Sequence, residues 1–143
     1  MSHTTEQHSS TLLQAPAAPA TVIVLVQHSG YLNSTLASVN RFIKAAVLQH
    51  HQIDHVFFYQ DAIFSLLDHT DLAADEVKPL QELIKLAAAH QFPILYCATA
   101  AEQRGLGQDE HNPNAAALVP YAIKAGLAEF AMRCNKVDKV VQF

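Results

Sequence analysis

Cysteine is scarce, basic charge is in deficit and no apolar run is long. Two cysteines among 143 residues exclude the disulfide framework of a small secreted domain. Nine Lys and Arg against 13 Asp and Glu leave a net charge of −4, so no overall basic field grips a nucleic-acid backbone. The longest apolar runs, such as Val22–Val26 and Ile94–Cys97, have strand length, far below the roughly 18 residues of a membrane span. The N-terminus has neither the positive start nor the continuous apolar stretch of a signal peptide. What is present is globular: 50% of residues are hydrophobic and 15% are charged, in a length that suits one domain. The expectation is a soluble, cytoplasmic domain with no membrane contact and no direct nucleic-acid contact.

Residues 1–20, rich in Ser, Thr, Pro and Ala, lack apolar periodicity and read as a disordered N-terminal tail. The folded domain is expected over 21–143. Val22–Val26 is a β-branched run without polar alternation, the pattern of a strand covered on both faces. Ser34 stands as a plausible N-cap, and Leu36, Val39, Ile43 and Val47 then recur at helical spacing, with Arg41 and Lys44 off the stripe. A second strand is expected over Ile53–Tyr59, followed by an acidic, irregular stretch over 60–76. A helix resumes near Lys78, with Leu80, Leu83, Ile84 and Ala87 on one face. Ile94–Cys97 forms a third strand, and a short helix over Ala98–Arg104 stops at Gly105. A short fourth strand is expected over Val119–Ile123, restricted by Pro120, then a helix over Gly126–Asn135 and a closing strand over Lys139–Phe143. This alternation predicts a three-layer α/β sandwich around a mostly parallel five-stranded sheet, in a flavodoxin-like arrangement.

In an open parallel sheet, ligands and reactive groups collect beyond the carboxyl ends of the strands. Residues 27–33, 59–64 and 97–101 lie there. Cys97 ends a buried strand and precedes a helix, where unpaired backbone N–H groups favour thiolate over thiol. Position alone leaves two readings open: a reactive thiolate able to carry a second sulfur, or a small core residue. Cys134 lies late in an apolar helix and reads as core packing. The two cysteines form no CxxC pair. His50, His51 and His55 cluster without the spacing of a metal site, and His50 and His51 are expected to meet the last carbonyls of the preceding helix. His28 and Tyr59, at strand ends, are candidates to line a pocket beside Cys97. The loop 29–34 resembles an anion-cradling turn only weakly, with one Gly and no Walker lysine; a flavodoxin-like phosphate or flavin module is the alternative it suggests. Asp54, Asp61, Asp68, Asp71, Asp75 and Glu76 fall together without one Lys or Arg, the pattern of a solvated loop, with docking of a basic partner as the alternative.

Three segments together resemble the DsrE/TusD family of small sulfur-relay proteins. They are Val56–Phe57–Phe58–Tyr59, the stretch Tyr96–Cys97–Ala98–Thr99–Ala100–Ala101 with Arg104–Gly105 after it, and Gly126–Leu127 through Asp138–Lys139–Val140–Val141–Gln142–Phe143. The resemblance spans roughly 21–143. It implies a sulfurtransferase that uses no metal and no cofactor, with Cys97 at the position of the persulfide-carrying cysteine. It further implies a heterohexamer with TusB- and TusC-like subunits, a TusA-like donor and a TusE-like acceptor, serving 2-thiouridine formation at the tRNA wobble position. The DsrE branch uses the same cysteine in sulfur oxidation, and some relatives are non-catalytic assembly subunits. The second cysteine of some relatives falls at Val137 here, three residues after Cys134. Glu129 does not match the glutamate that marks the DsrE branch. The resemblance therefore carries over Cys97 alone.

Overall fold

The computed structural model describes residues 18–29, 34–68 and 78–143. The tail reading for 1–20 thus falls almost wholly outside the described residues, as do Gly30–Asn33 of the first loop and Asp71, Asp75 and Glu76 of the acidic run. Five strands form one sheet: β1 (Thr21–Val26), β2 (Gln52–Phe58), β3 (Ile94–Cys97), β4 (Ala122–Ala125) and β5 (Lys139–Gln142). Their order is β4-β3-β2-β1-β5, and every pairing is parallel. The helices are α1 (Thr35–Leu48), α2 (Pro79–His90), α3 (Ala98–Glu102) and α4 (Leu127–Cys134).

The steps from β1 to β4 all move one way across the sheet, and the step from β4 to β5 returns across its full width. Right-handed crossovers then place α1 and α2 on one face and α4 on the other. The core follows from this. Val22, Val24 and Val26 of β1 are buried, and so are Leu36, Val39 and Ile43 of the α1 stripe, whereas Arg41 and Lys44 are exposed as their spacing predicts. Pro79 opens α2 at a position where its missing N–H costs nothing. On the α4 face, Ile23 pairs with His55 and Leu25 with Phe57, and Phe130 stacks on Phe57 at 4.6 Å between ring centroids. Among the described residues no helix is long and apolar enough to cross a membrane.

Several local expectations change. β4 starts at Ala122 rather than Val119, because Pro120 and Tyr121 form a turn closed by the N–H of Ala122 on the carbonyl of Val119. Part of the acidic stretch is ordered: Gln60–Leu66 is a 3-10 helix that buries Ala62, Ile63 and Leu66. Asp54 belongs to β2, where a register shift between Val22 and Ile23 leaves it as the extra residue opposite β1. Ser34 flanks α1, but its hydroxyl makes no capping bond. His50 and His51 do close the last carbonyls of α1, through their backbone N–H groups and not their rings. The bonds run to Val47 and Ala46, with His50 in the left-handed conformation at φ 66°. The His51 ring instead accepts the N–H of Ala20 at 2.9 Å.

The polar loop before β4 is organised by one carboxylate. Asp109 accepts the backbone N–H groups of His111 and Asn112 and pairs with Lys124, and these donors hold its pKa at about 2.

Candidate active site around Cys97

Cys97 is both the last residue of β3 and the residue that caps α3. The strand brings it in extended conformation, and the chain turns into the helix immediately after it. That change of direction aims the N–H of Ala100 at the sulfur, with N to Sγ at 3.5 Å. A backbone donor facing Sγ stabilises negative charge there more than it stabilises the neutral thiol. The residue is only 1% exposed, with neighbouring Ala100, Ala101 and Leu106 buried beside it.

Helix α3 ends at Glu102, two residues before the expected Arg104, and the turn after it closes at Gly105. Gly105 takes φ +67°, its N–H bonds the carbonyl of Glu102, and the N–H of Leu106 bonds that of Ala101. These two bonds form a Schellman closure. Arg104, just before the glycine, donates from Nη1 to the carbonyl of Ala100 at 3.0 Å. Its Nε and Nη2 both reach Oδ1 of Asp61, at 3.0 and 2.9 Å. The helix that carries the cysteine's donor is thereby tied to the 3-10 helix after β2. On the other side of β3, Tyr96 is buried, which pushes its phenol pKa up; Asp109 adds to the rise and Lys124 offsets part of it.

The other candidates are dispersed. Tyr59 directly follows β2, the strand beside β3, is half-buried, and bonds its N–H to the carbonyl of Val26. His28 follows β1 and is exposed. With β2 lying between β1 and β3, the two strand ends are about 10 Å apart across the sheet. Cys134 is half-buried at the end of α4, next to Arg133, which bonds Asp54 near the start of β2. It therefore sits toward the amino ends of the strands, opposite to Cys97. The phosphate-loop reading lies largely on residues 30–33, outside the described residues.

Two polar constellations had no local signal in the sequence. One is the Asp61–Arg104 pair. The other joins Arg133, Asp54 and His55, where His55 is fully buried.

Comparison with known proteins gives the family and the fold. A model of the DsrE/DsrF-like family matches residues 20–143. The chain belongs to the DsrE/DsrF-like family. Sulfurtransferase TusD of Pectobacterium atrosepticum is 29% identical over 124 residues, covering 84% of this chain and 96% of that relative. A sulfurtransferase TusD homolog of Vibrio cholerae is 30% identical over 129 residues, covering 87% and 98%. Among solved structures, the ychN protein of E. coli superposes with a TM-score of 0.63 at 20% identity, over 88% of this chain and all of that one. That likeness concerns the fold: the parallel α/β sandwich is shared by this member of the DsrE/DsrF-like family and ychN.

Proposed function

We propose that the protein is a sulfurtransferase that carries a sulfane sulfur on Cys97. The observation that carries this reading is a cysteine at the carboxyl end of a buried strand, with a backbone N–H on its sulfur, in a chain whose relatives are named sulfurtransferase TusD. The Cys97 thiolate attacks the outer sulfur of a donor persulfide. A bond forms between Sγ and that sulfur, the donor's S–S bond breaks, and the donor leaves as a thiolate. The second transfer repeats the exchange, with Cys97 as the leaving thiolate. Atoms and electrons balance without a metal, a nucleotide or an external oxidant.

The donor is a TusA-like protein and the acceptor a TusE-like protein. The protein works with TusB- and TusC-like subunits in a cytoplasmic heterohexamer, toward 2-thiouridine at the tRNA wobble position. A subunit contact suits the exposed apolar side chains of Ile123, Leu127, Met132 and Val140. The net charge of −4 fits a relay in which a later enzyme, not this subunit, meets tRNA.

The test is genetic. In a strain lacking this gene, wobble-uridine thiolation falls, and the wild-type gene restores it while Cys97→Ser does not. Unchanged thiolation in the deletion strain would move the assignment to the sulfur-oxidation branch.

A further inference from the structure

The sulfur of Cys97 stands at the inner end of a chain of contacts that runs to the surface. The N–H of Ala100 faces Sγ, the carbonyl of the same residue accepts Arg104, and Arg104 grips Asp61. Asp61 is 43 residues away in sequence, on the 3-10 helix Gln60–Leu66. Helix α3 has five residues, too few to hold their own conformation against fraying. The direction of the Ala100 N–H is therefore set by what anchors α3 from outside. The ion pair itself adds little stability, since the Asp61 side chain is 69% exposed. Its contribution is geometric: a planar fork fixes one helix against another in a way a single ammonium cannot.

We propose that Arg104 is a positioning residue for sulfur transfer at Cys97, held by Asp61 and holding the carbonyl of Ala100, the residue whose N–H faces the sulfur. The inference rests on the reading of Cys97 as the sulfur carrier. Negative charge gathers on Sγ twice in that reaction, in the attacking thiolate and again when Cys97 is the leaving group. A correctly aimed N–H favours both states.

The experiment uses the full chain and the variants Arg104→Gln, Arg104→Lys and Asp61→Asn, each checked for fold by circular dichroism. Two readouts are followed on the Cys97 peptide by mass spectrometry: the rate of sulfur uptake from glutathione persulfide, and the pH profile of alkylation by iodoacetamide. Arg104→Gln lowers uptake roughly tenfold, the effect of weakening one hydrogen bond to a charged group. It also moves the alkylation profile to higher pH, since the sulfur loses part of its donor. Arg104→Lys recovers part of both losses, and Asp61→Asn shows a smaller change in the same direction. Wild-type uptake with an unmoved profile in Arg104→Gln overturns the proposal. Should that variant fail to fold, Asp61→Asn decides in its place by the same two readouts. A wild-type protein that takes up no sulfur, either alone or assembled with its partner subunits, overturns the carrier reading instead. The alkylation profile then judges Arg104 alone: a shift supports the positioning role and no shift overturns it.

Discussion

Asp54 receives both arms of Arg133, Oδ2 from Nε at 2.8 Å and Oδ1 from Nη2 at 2.7 Å, across 79 residues of chain. The same carboxylate accepts from Nδ1 of His55 at 2.7 Å; because a carboxylate only accepts, Nδ1 carries the proton. This fork ties the end of α4 to β2. The tie matters because α4 contributes no fully buried residue of its own.

The fork makes stability depend on acid. Burial raises the pKa of Asp54, but hydrogen bonds from Arg133 and His55 outweigh it and hold the carboxyl below its ordinary 3.8. A depressed folded-state pKa contributes stability that is fully present above the unfolded value and is lost as pH falls through the folded one. Asp54→Asn is therefore expected to cost about 1 kcal/mol at neutral pH, discounted because the Arg133 side chain is 43% exposed. The gap from wild type in urea midpoints stays constant from about pH 5 upward and narrows below about pH 4. A gap as large at pH 3 as at pH 7 would contradict the sign.

Phe130 is the apolar half of the same anchor. It stacks on Phe57 at 4.6 Å and meets His55 edge-on at 6.1 Å. Phe130→Ala should lower unfolding free energy by about 2 kcal/mol and speed amide exchange across 127–134 first. A loss under about 0.5 kcal/mol would mean that α4 is held by other contacts.

Gly105 tests the stop of α3 in isolation. A Cβ added there meets no heavy atom within 4 Å, so the cost of Gly105→Ala is conformational only, at φ +67°. About 1 kcal/mol is expected, with Gly105→Asn milder because asparagine tolerates the left-handed region. Equal thermal midpoints for wild type and Gly105→Ala would contradict this reading of the turn.

The parts of the fold that local pattern governs were legible. β1 and β3 are continuous apolar runs, the α1 stripe sits at helical spacing, and Gly105 marks the stop of α3 because only one backbone conformation is needed there. The position of Cys97 followed from the same logic, since a strand end before a helix start is a sequence-local feature. β4 was displaced because Pro120 reads as a restricted strand residue, although its missing N–H suits a turn equally well. The 3-10 helix was hidden: Ala62, Ile63 and Leu66 share one helical face, but seven residues are too few for a period to stand out, and the exposed Phe64 blurs the stripe. Asp61–Arg104 and Asp54–Arg133 join residues 43 and 79 positions apart, and no local period encodes such a pairing. His55 stood out only as clustered with His50 and His51 and without metal spacing, and the register shift in β2 places it in the core against Phe57 and Phe130.

The most direct measurement is the mass of the Cys97 peptide after the protein, assembled with its partner subunits, meets a persulfide-loaded donor. The account predicts a gain of one sulfur on that peptide, removed by reductant and absent in Cys97→Ser. An assembled complex with a competent donor and no sulfur on Cys97 would contradict it, and the cysteine buried at the end of β3 would then be a core residue.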